Sequence, residues 1–268
     1  MNAHAKRWIT GILAVPIVIL IIIWGSKLVF SLFIAILAIG AVFEYHKMVF
    51  NEGHQREKIE GLILALCIMA ATYTGDARFI FAVVTLSMLV IFMLFLFRAR
   101  TNLTDLDSLF KVVFGLLYVP LMLSHFIQIR GFEQGVRWIF FLVIIAFATD
   151  ISAFYVGRTW GKRKLMPHVS AGKTVEGAIG GLAGSVIGCV LYALIFFQDM
   201  SMTHAVVMGF FGSIMGQLGD LCESSIKRAS GVKDSGIILP GHGGILDRLD
   251  SLIFIAPFVY YYAVFVIS

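Results

Sequence analysis

Apolar residues fall along this chain in long runs separated by short polar segments. Nine runs stand out, over residues 8–24, 29–45, 60–75, 79–97, 109–128, 138–156, 174–197, 203–226 and 244–267. A bilayer core about 30 Å thick is crossed by a helix of about 20 mostly apolar residues, and each run has roughly that length. Several are dense in β-branched residues, such as Ile17-Val18-Ile19-Leu20-Ile21-Ile22-Ile23, which in water would favour strand. In lipid the backbone must satisfy its own hydrogen bonds, so helix prevails. The pattern predicts an all-α, polytopic membrane bundle of about nine transmembrane helices. The first run ends in Trp24-Gly25-Ser26-Lys27 with no small-x-small cleavage site, so it is expected to remain as an anchor.

Composition sharpens this picture. Of 268 residues, 59% are apolar and 14% charged, against roughly 45–50% and about 25% in average globular chains. A mean hydropathy of +0.93 agrees. These values exclude a disordered chain, a disulfide-stapled secreted domain and a soluble enzyme. Cys67, Cys189 and Cys222 sit in or beside apolar runs, form no metal-like cluster and read as small buried residues. The net charge of +5 is too dilute for nucleic-acid binding and instead speaks to topology and contact with membrane lipid. With the N-terminus inside, seventeen of the 21 Lys and Arg fall on the cytoplasmic side; only Lys27, Arg78, Arg130 and Arg137 face the other. That asymmetry predicts a cytoplasmic N-terminus and a C-terminus on the opposite side. Nine compact spans without a targeting extension suit a bacterial inner membrane.

The chain changes character near residue 140. Before it, charges lie in loops or at span ends; after it, charges and glycines enter the spans. Residues 1–140 therefore read as a scaffold of spans one to five, and 141–268 as a catalytic region of spans six to nine. Charges inside spans are costly and mark function or pairing. The acidic ones here are Asp150, Glu176, Asp220, Glu223, Asp247 and Asp250. On the predicted topology all six fall near the cytoplasmic face, level with the two most basic loops, 157–173 and 227–248. Asp220 and Glu223 share a helix face at i,i+3, with Ser224 one turn from Asp220; Asp247 and Asp250 repeat the i,i+3 spacing. Carboxylates without His or Cys partners suit a hard cation such as Mg²⁺. Structural ion pairs, such as Glu223 with Lys227 at i,i+4, are the competing reading of any one pair.

The segment from Lys227 to Arg248 mixes cations with flexible residues. Lys227, Arg228, Lys233 and Arg248 surround Asp234 and the turn Leu239-Pro240-Gly241-His242-Gly243-Gly244. Glycines let backbone N–H groups approach an anion, and the helix starting near Gly244 adds its N-terminus, so phosphate binding is expected here. His242 reads either as a phosphate or proton contact or as a hydrogen-bonded turn residue. Gly172-Lys173-Thr174 is no Walker motif, because Pro167 occupies a required glycine position and no strand precedes it. Lys173 and Thr174 are still expected to meet phosphate at the start of the seventh span. His4, His46, His54, His125 and His204 read as surface or interfacial residues. Gly177, Gly180, Gly181, Gly184 and Gly188, and Gly209, Gly212, Gly216 and Gly219, recur at three- and four-residue spacing and predict close helix packing.

From Ser224 to Asp250 the chain reads Ser224-x-Ile226-Lys227-Arg228, then Lys233-Asp234-x-Gly236, then Leu239-Pro240-x-His242-Gly243-Gly244-Ile245-x-Asp247-Arg248-Leu249-Asp250. This stretch resembles the signature of the phosphatidate cytidylyltransferase (CDP-diacylglycerol synthase) family. Asp150-x-x-Ala153-x-x-x-Gly157-Arg158-x-x-Gly161-Lys162 and Ser170-x-Gly172-Lys173-Thr174-x-Glu176-Gly177 also look like the family pattern. Ala171 departs from it, where relatives often carry Pro. The resemblance implies an enzyme that joins CTP to phosphatidic acid, giving CDP-diacylglycerol and pyrophosphate in phospholipid biosynthesis, with Mg²⁺ required. It implies that Asp220 and Asp247 are metal ligands, and that the protein is a homodimer. On this reading Asp220, Asp247, Lys227 and Arg248 are catalytic. Lys173, Thr174, Ser224, Arg228, Lys233, His242, Gly243 and Gly244 bind substrate. Asp150, Glu176, Glu223, Asp234 and Asp250 give support or hold a second cation. The rival readings are a CTP-dependent polyprenol or phytol-type lipid kinase, and a transporter with charges at mid-membrane.

Overall fold

The computed structural model describes residues 3–50, 53–99, 106–236, 238 and 243–267, with side chains for all of these except 3–13 and 99. Each apolar run lies in a helix, with ends within a few residues of those expected. The helices are α1 (Ala3–Trp24), α2 (Lys27–Val49), α3 (Gln55–Tyr73), α4 (Ala77–Ala99), α5 (Leu106–Arg130), α6 (Gly135–Trp160), α7 (Val175–Phe196), α8 (Met202–Ala229) and α9 (Leu246–Ile267). Among the described residues seven, α2 and α4 to α9, are long and apolar enough to cross a membrane. The class is the expected all-α polytopic bundle. In α3 the opening Gln55-Arg56-Glu57-Lys58 lowers the hydropathy, and in α1 the described apolar part is Ala14–Trp24. Pro120 offers no N–H to the ladder of α5, which widens to a π-turn over Leu117–Leu121.

Two compact units divide the chain. The first is Met1–Gly131 with Asp234–Asp247, the second Phe132–Lys233 with Arg248–Ser268. In the first, Phe30, Ile68, Leu116 and Ile127 form a core that solvent does not reach. Polar ties join its helices. The Tyr45 hydroxyl donates to the Lys111 carbonyl at 3.0 Å, and Arg130 donates to the Gly25 carbonyl at 3.0 Å. Arg98, at the end of α4, pairs with Glu57 at 2.7 Å and Glu60 at 3.1 Å on α3. Two histidines depart from the surface reading. His46 is buried where Gly61 leaves room for its ring, and His125 is buried with its Nδ1 3.1 Å from the Met122 carbonyl.

The outer faces are apolar. On α4, Phe81, Phe92 and Leu96 are exposed. In water a face of this kind would drive association; a bilayer solvates it. Cys67 and Cys222 are exposed as well, and of the three cysteines Cys189 alone is buried as expected. Small thiols suit lipid-facing helix surfaces as readily as a core.

In the second unit the glycines pack helices against each other. A Cβ on Gly180 would meet Val156 of α6 at 2.5 Å, and one on Gly184 would overlap Ser152. On α8, Gly209 faces Val186 and Cys189 of α7, while Gly216 and Gly219 face Ile255 and Asp250 of α9. Between α6 and α7, where the sequence suggested only a loop, the chain forms a hairpin. Strand β1 (Lys164–Met166) runs antiparallel to β2 (Ser170–Thr174), pairing Lys164 with Thr174 and Met166 with Ser170. A strand therefore does precede α7. It is the return strand of a hairpin closed around Pro167 and not the parallel strand of a Walker fold.

Candidate active site

The second unit places its chemistry at the junction of hairpin and helices. Thr174 is the N-cap of α7, its Oγ1 accepting the Gly177 N–H at 3.1 Å. Glu176, in the first turn, accepts the N–H groups of Lys162 at 3.0 Å and Arg163 at 3.1 Å, and the Arg163 side chain at 3.4 Å. These bonds fix the base of the hairpin. Gly161 lets it lie close to α6, since a Cβ there would stand 2.8 Å from Thr174. Thr174 and Glu176 thus hold the frame. Replacing Thr174 by Ala is expected to lower stability by about 1 kcal/mol through the lost cap, measurable as a lower thermal midpoint in detergent.

That frame holds Lys173 toward α8. Its Nζ lies 2.6 Å from Asp220 Oδ2, and the buried ammonium has no other hydrogen-bond partner among the described residues. Asp220 Oδ1 accepts the Ser224 hydroxyl at 3.4 Å. The pair borders a cavity of about 460 Å³, whose walls also carry Asp150, Arg158, Gln217 and Phe154. Asp150, Asp220 and Asp250 lie near enough to repel one another, opposed by Lys173, Lys227 and Arg248. Asp250 Oδ1 accepts the Ser251 N–H at 2.6 Å. Gln217 was not among the residues expected. Its amide donates to the Ala178 carbonyl at 3.3 Å and to Ser213 Oγ at 3.2 Å.

The other basic candidates divide. Lys227 forms an ion pair with Glu223, which is fully buried, so the i,i+4 reading of that pair holds. Arg228 donates to the Val169 carbonyl at 3.3 Å and to the Val232 carbonyl at 3.1 Å, tying hairpin and following loop to the end of α8. Arg248, Lys233 and Asp234 are exposed.

In the first unit lies the turn before α9. Asp247 accepts the Gly244 N–H at 2.8 Å and the Ser235 N–H at 3.1 and 3.2 Å. The Asp247 N–H donates to Ser235 Oγ at 3.3 Å. The Leu246 N–H donates to Glu44 at 2.9 Å. The N–H groups expected to face a phosphate at this helix start are therefore engaged by carboxylates of the chain itself, because two acidic side chains reach them first. Gly243 takes a φ of +83°, a conformation that favours glycine. His242 lies outside the described residues. Glu44 was missed altogether; the available signal was an acidic residue near the end of an otherwise apolar span.

Hard carboxylate oxygens line the second unit's cavity, and among the described residues no three His, Cys, Asp or Glu side chains are close enough to hold an ion together. Asp150 and Asp220 on the cavity walls are oxygen donors of the kind Mg²⁺ takes, one or two carboxylates with water and substrate phosphate completing the shell.

Comparison with known proteins bears on this site. The model of the cytidylyltransferase family matches residues 5–266. A protein of Bacillus subtilis (strain 168) named phosphatidate cytidylyltransferase is 33% identical over 259 residues, 96% of each chain. One of Staphylococcus aureus (strain COL) with the same name is 36% identical over 257 residues, 94% of this chain and 95% of the relative.

Proposed function

The chain belongs to the cytidylyltransferase family, and from that membership we propose that it transfers the cytidylyl group of CTP to phosphatidic acid, giving CDP-diacylglycerol and pyrophosphate. The observation that carries the reading is the Lys173–Asp220 pair on a charged cavity, set in a bundle whose helices can hold a lipid substrate in a membrane. The names of the relatives favour neither a lipid kinase nor a transporter.

A phosphate oxygen of phosphatidate attacks the α-phosphorus of CTP in line. The new P–O bond forms as the α–β anhydride bond breaks, and pyrophosphate leaves with the electron pair. Phosphatidate is already ionised, so no side chain need serve as nucleophile or take a proton. Lys173, Lys227 and Arg248 offset substrate charge and hold the two phosphates against their mutual repulsion. Asp220, beside Asp150, is the carboxylate this cavity offers to a divalent cation; Asp247 is the second one that the family pattern assigns. When bound, Mg²⁺ supplies neutralisation of phosphate charge. The reaction is assigned to the cytoplasmic face of a bacterial cell membrane, in a homodimer; the Lys and Arg asymmetry and the bacterial relatives support the placement, and the family resemblance supports the dimer.

The test is product formation by detergent-solubilised protein given radiolabelled CTP, phosphatidic acid and Mg²⁺. Label is expected in a chloroform-soluble product only when all three are present, and EDTA should abolish it. Folded protein that leaves the lipid phase unlabelled overturns the proposal.

A further inference from the structure

The turn that carries Asp247 is not held by its own residues alone. Glu44, near the end of α2, is 1% exposed. One carboxylate oxygen, Oε2, accepts both the Ser235 hydroxyl at 3.1 Å and the Leu246 N–H at 2.9 Å. Ser235 in turn receives the Asp247 N–H on its hydroxyl and gives its own N–H to the Asp247 carboxylate. A relay thus runs from Glu44 through Ser235 to Asp247, all within the first unit. Two glycines accommodate it. A Cβ on Gly244 would stand 2.5 Å from Glu44 Oε2, and one on Gly236 would overlap the same carboxylate. Gly236 and Gly244 are therefore required by a close approach to Glu44, whatever they also contribute to substrate.

We propose that Glu44 is a positioning residue for cytidylyl transfer: it fixes Ser235 and the first turn of α9, and through them the orientation of the Asp247 carboxylate. The inference rests on the proposed transferase reading and on Asp247 as a metal-facing carboxylate. Both Asp247 oxygens accept N–H bonds, Oδ1 from Ser235 and Oδ2 from Ser235 and Gly244. The carboxylate keeps its orientation only while those two N–H donors stay in place. Groups that orient metal-facing carboxylates commonly matter about 10–100-fold for affinity or activity. The role is one of hydrogen-bond acceptance, so the amide oxygen of glutamine can fill it.

Glu44→Ala, Glu44→Gln and Ser235→Ala are compared with wild type in the full-length protein. Steady-state assays give kcat, KM for CTP and the Mg²⁺ concentration for half-maximal rate. Hydrogen exchange of metal-free protein gives protection at Ser235 and Leu246. Glu44→Ala is expected to lower kcat or raise the Mg²⁺ requirement about 10–100-fold, with KM for CTP changed only a few-fold. Exchange should rise at Ser235 and Leu246 and stay unchanged around the Lys173 hairpin. Glu44→Gln should recover most of the loss, which a role for charge alone does not predict; Ser235→Ala, which leaves the volume of Glu44 in place, separates the relay from packing. If Glu44→Ala does not fold, Ser235→Ala carries the test. It leaves Glu44 in place but breaks the relay, and it should reproduce the Mg²⁺ shift in milder form. Wild-type kcat and Mg²⁺ dependence in the variant that folds would overturn the inference. So would a fall in protection spread evenly over the protein. Wild type that makes no CDP-lipid refutes the transferase reading, whereas active wild type with an equally active Glu44→Ala refutes only the role of Glu44.

Discussion

Asp220→Asn is expected to cut CDP-diacylglycerol formation about 10³-fold, equivalent to about 4 kcal/mol of transition-state stabilisation, in a protein that still folds. Asparagine keeps the shape of the side chain and an oxygen that can accept from Lys173. It removes the negative charge that stands 2.6 Å from the buried ammonium and that the proposed reaction assigns to a divalent cation. Asp150 is near enough to Lys173 to be felt electrostatically, so the cation is not left wholly without an opposite charge, and the fold should survive. Turnover and a size-exclusion profile in detergent separate the two effects. Turnover within a few-fold of wild type, in folded protein, would remove Asp220 from the reaction.

Lys227→Met should act on stability first. Glu223 is fully buried and Lys227 nearly so. Breaking a buried ion pair from one side takes away the opposite charge that the remaining group faces and costs about 3–5 kcal/mol, which for a chain of this size lowers the thermal midpoint by roughly 10 °C. The double variant Glu223→Gln/Lys227→Met removes both charges and is expected to regain most of that loss, because replacing a whole buried pair is often nearly neutral. Activity should not return with it, since Lys227 is also assigned to substrate phosphate. A double variant as unstable as the single one would show that the pair is not the dominant interaction. A fully active double variant would take Lys227 out of the site.

The helices were legible because lipid imposes a simple demand: about 20 apolar residues, in helix, for each crossing. The runs at 79–97, 138–156 and 203–226 lie wholly within α4, α6 and α8. The glycine faces of α7 and α8 were legible too, since recurrence at three and four residues puts small side chains on one face. What the pattern did not carry was any interaction between residues distant in sequence. The β1–β2 hairpin depends on Lys164 opposite Thr174 and on Glu176 reaching back to the N–H groups of Lys162 and Arg163. Its strands are too short to announce themselves by alternation. Glu44 was invisible for the same reason, its partners Ser235 and Leu246 lying some 200 positions away. His46 and His125 looked like interfacial residues because each sits among apolar neighbours near a run's end. The His46 ring occupies space left by Gly61 on another helix, and His125 is buried with its Nδ1 against the Met122 carbonyl one turn back in its own helix. At the site, Lys173 and Asp220 were both named from the sequence, but their ion pair was not. Thr174, Glu176 and Arg228 were named as substrate or cation contacts and are also the bonds that hold the hairpin.

Which bond of CTP is broken separates cytidylyl transfer from phosphoryl transfer and from no reaction at all. Two parallel reactions would use CTP labelled at the α- or at the γ-phosphorus, each with phosphatidic acid, Mg²⁺ and the purified protein. Cytidylyl transfer predicts that α-label enters the chloroform-soluble lipid while γ-label leaves as water-soluble pyrophosphate. Entry of γ-label into lipid, or retention of both labels in intact CTP by folded protein, would contradict it.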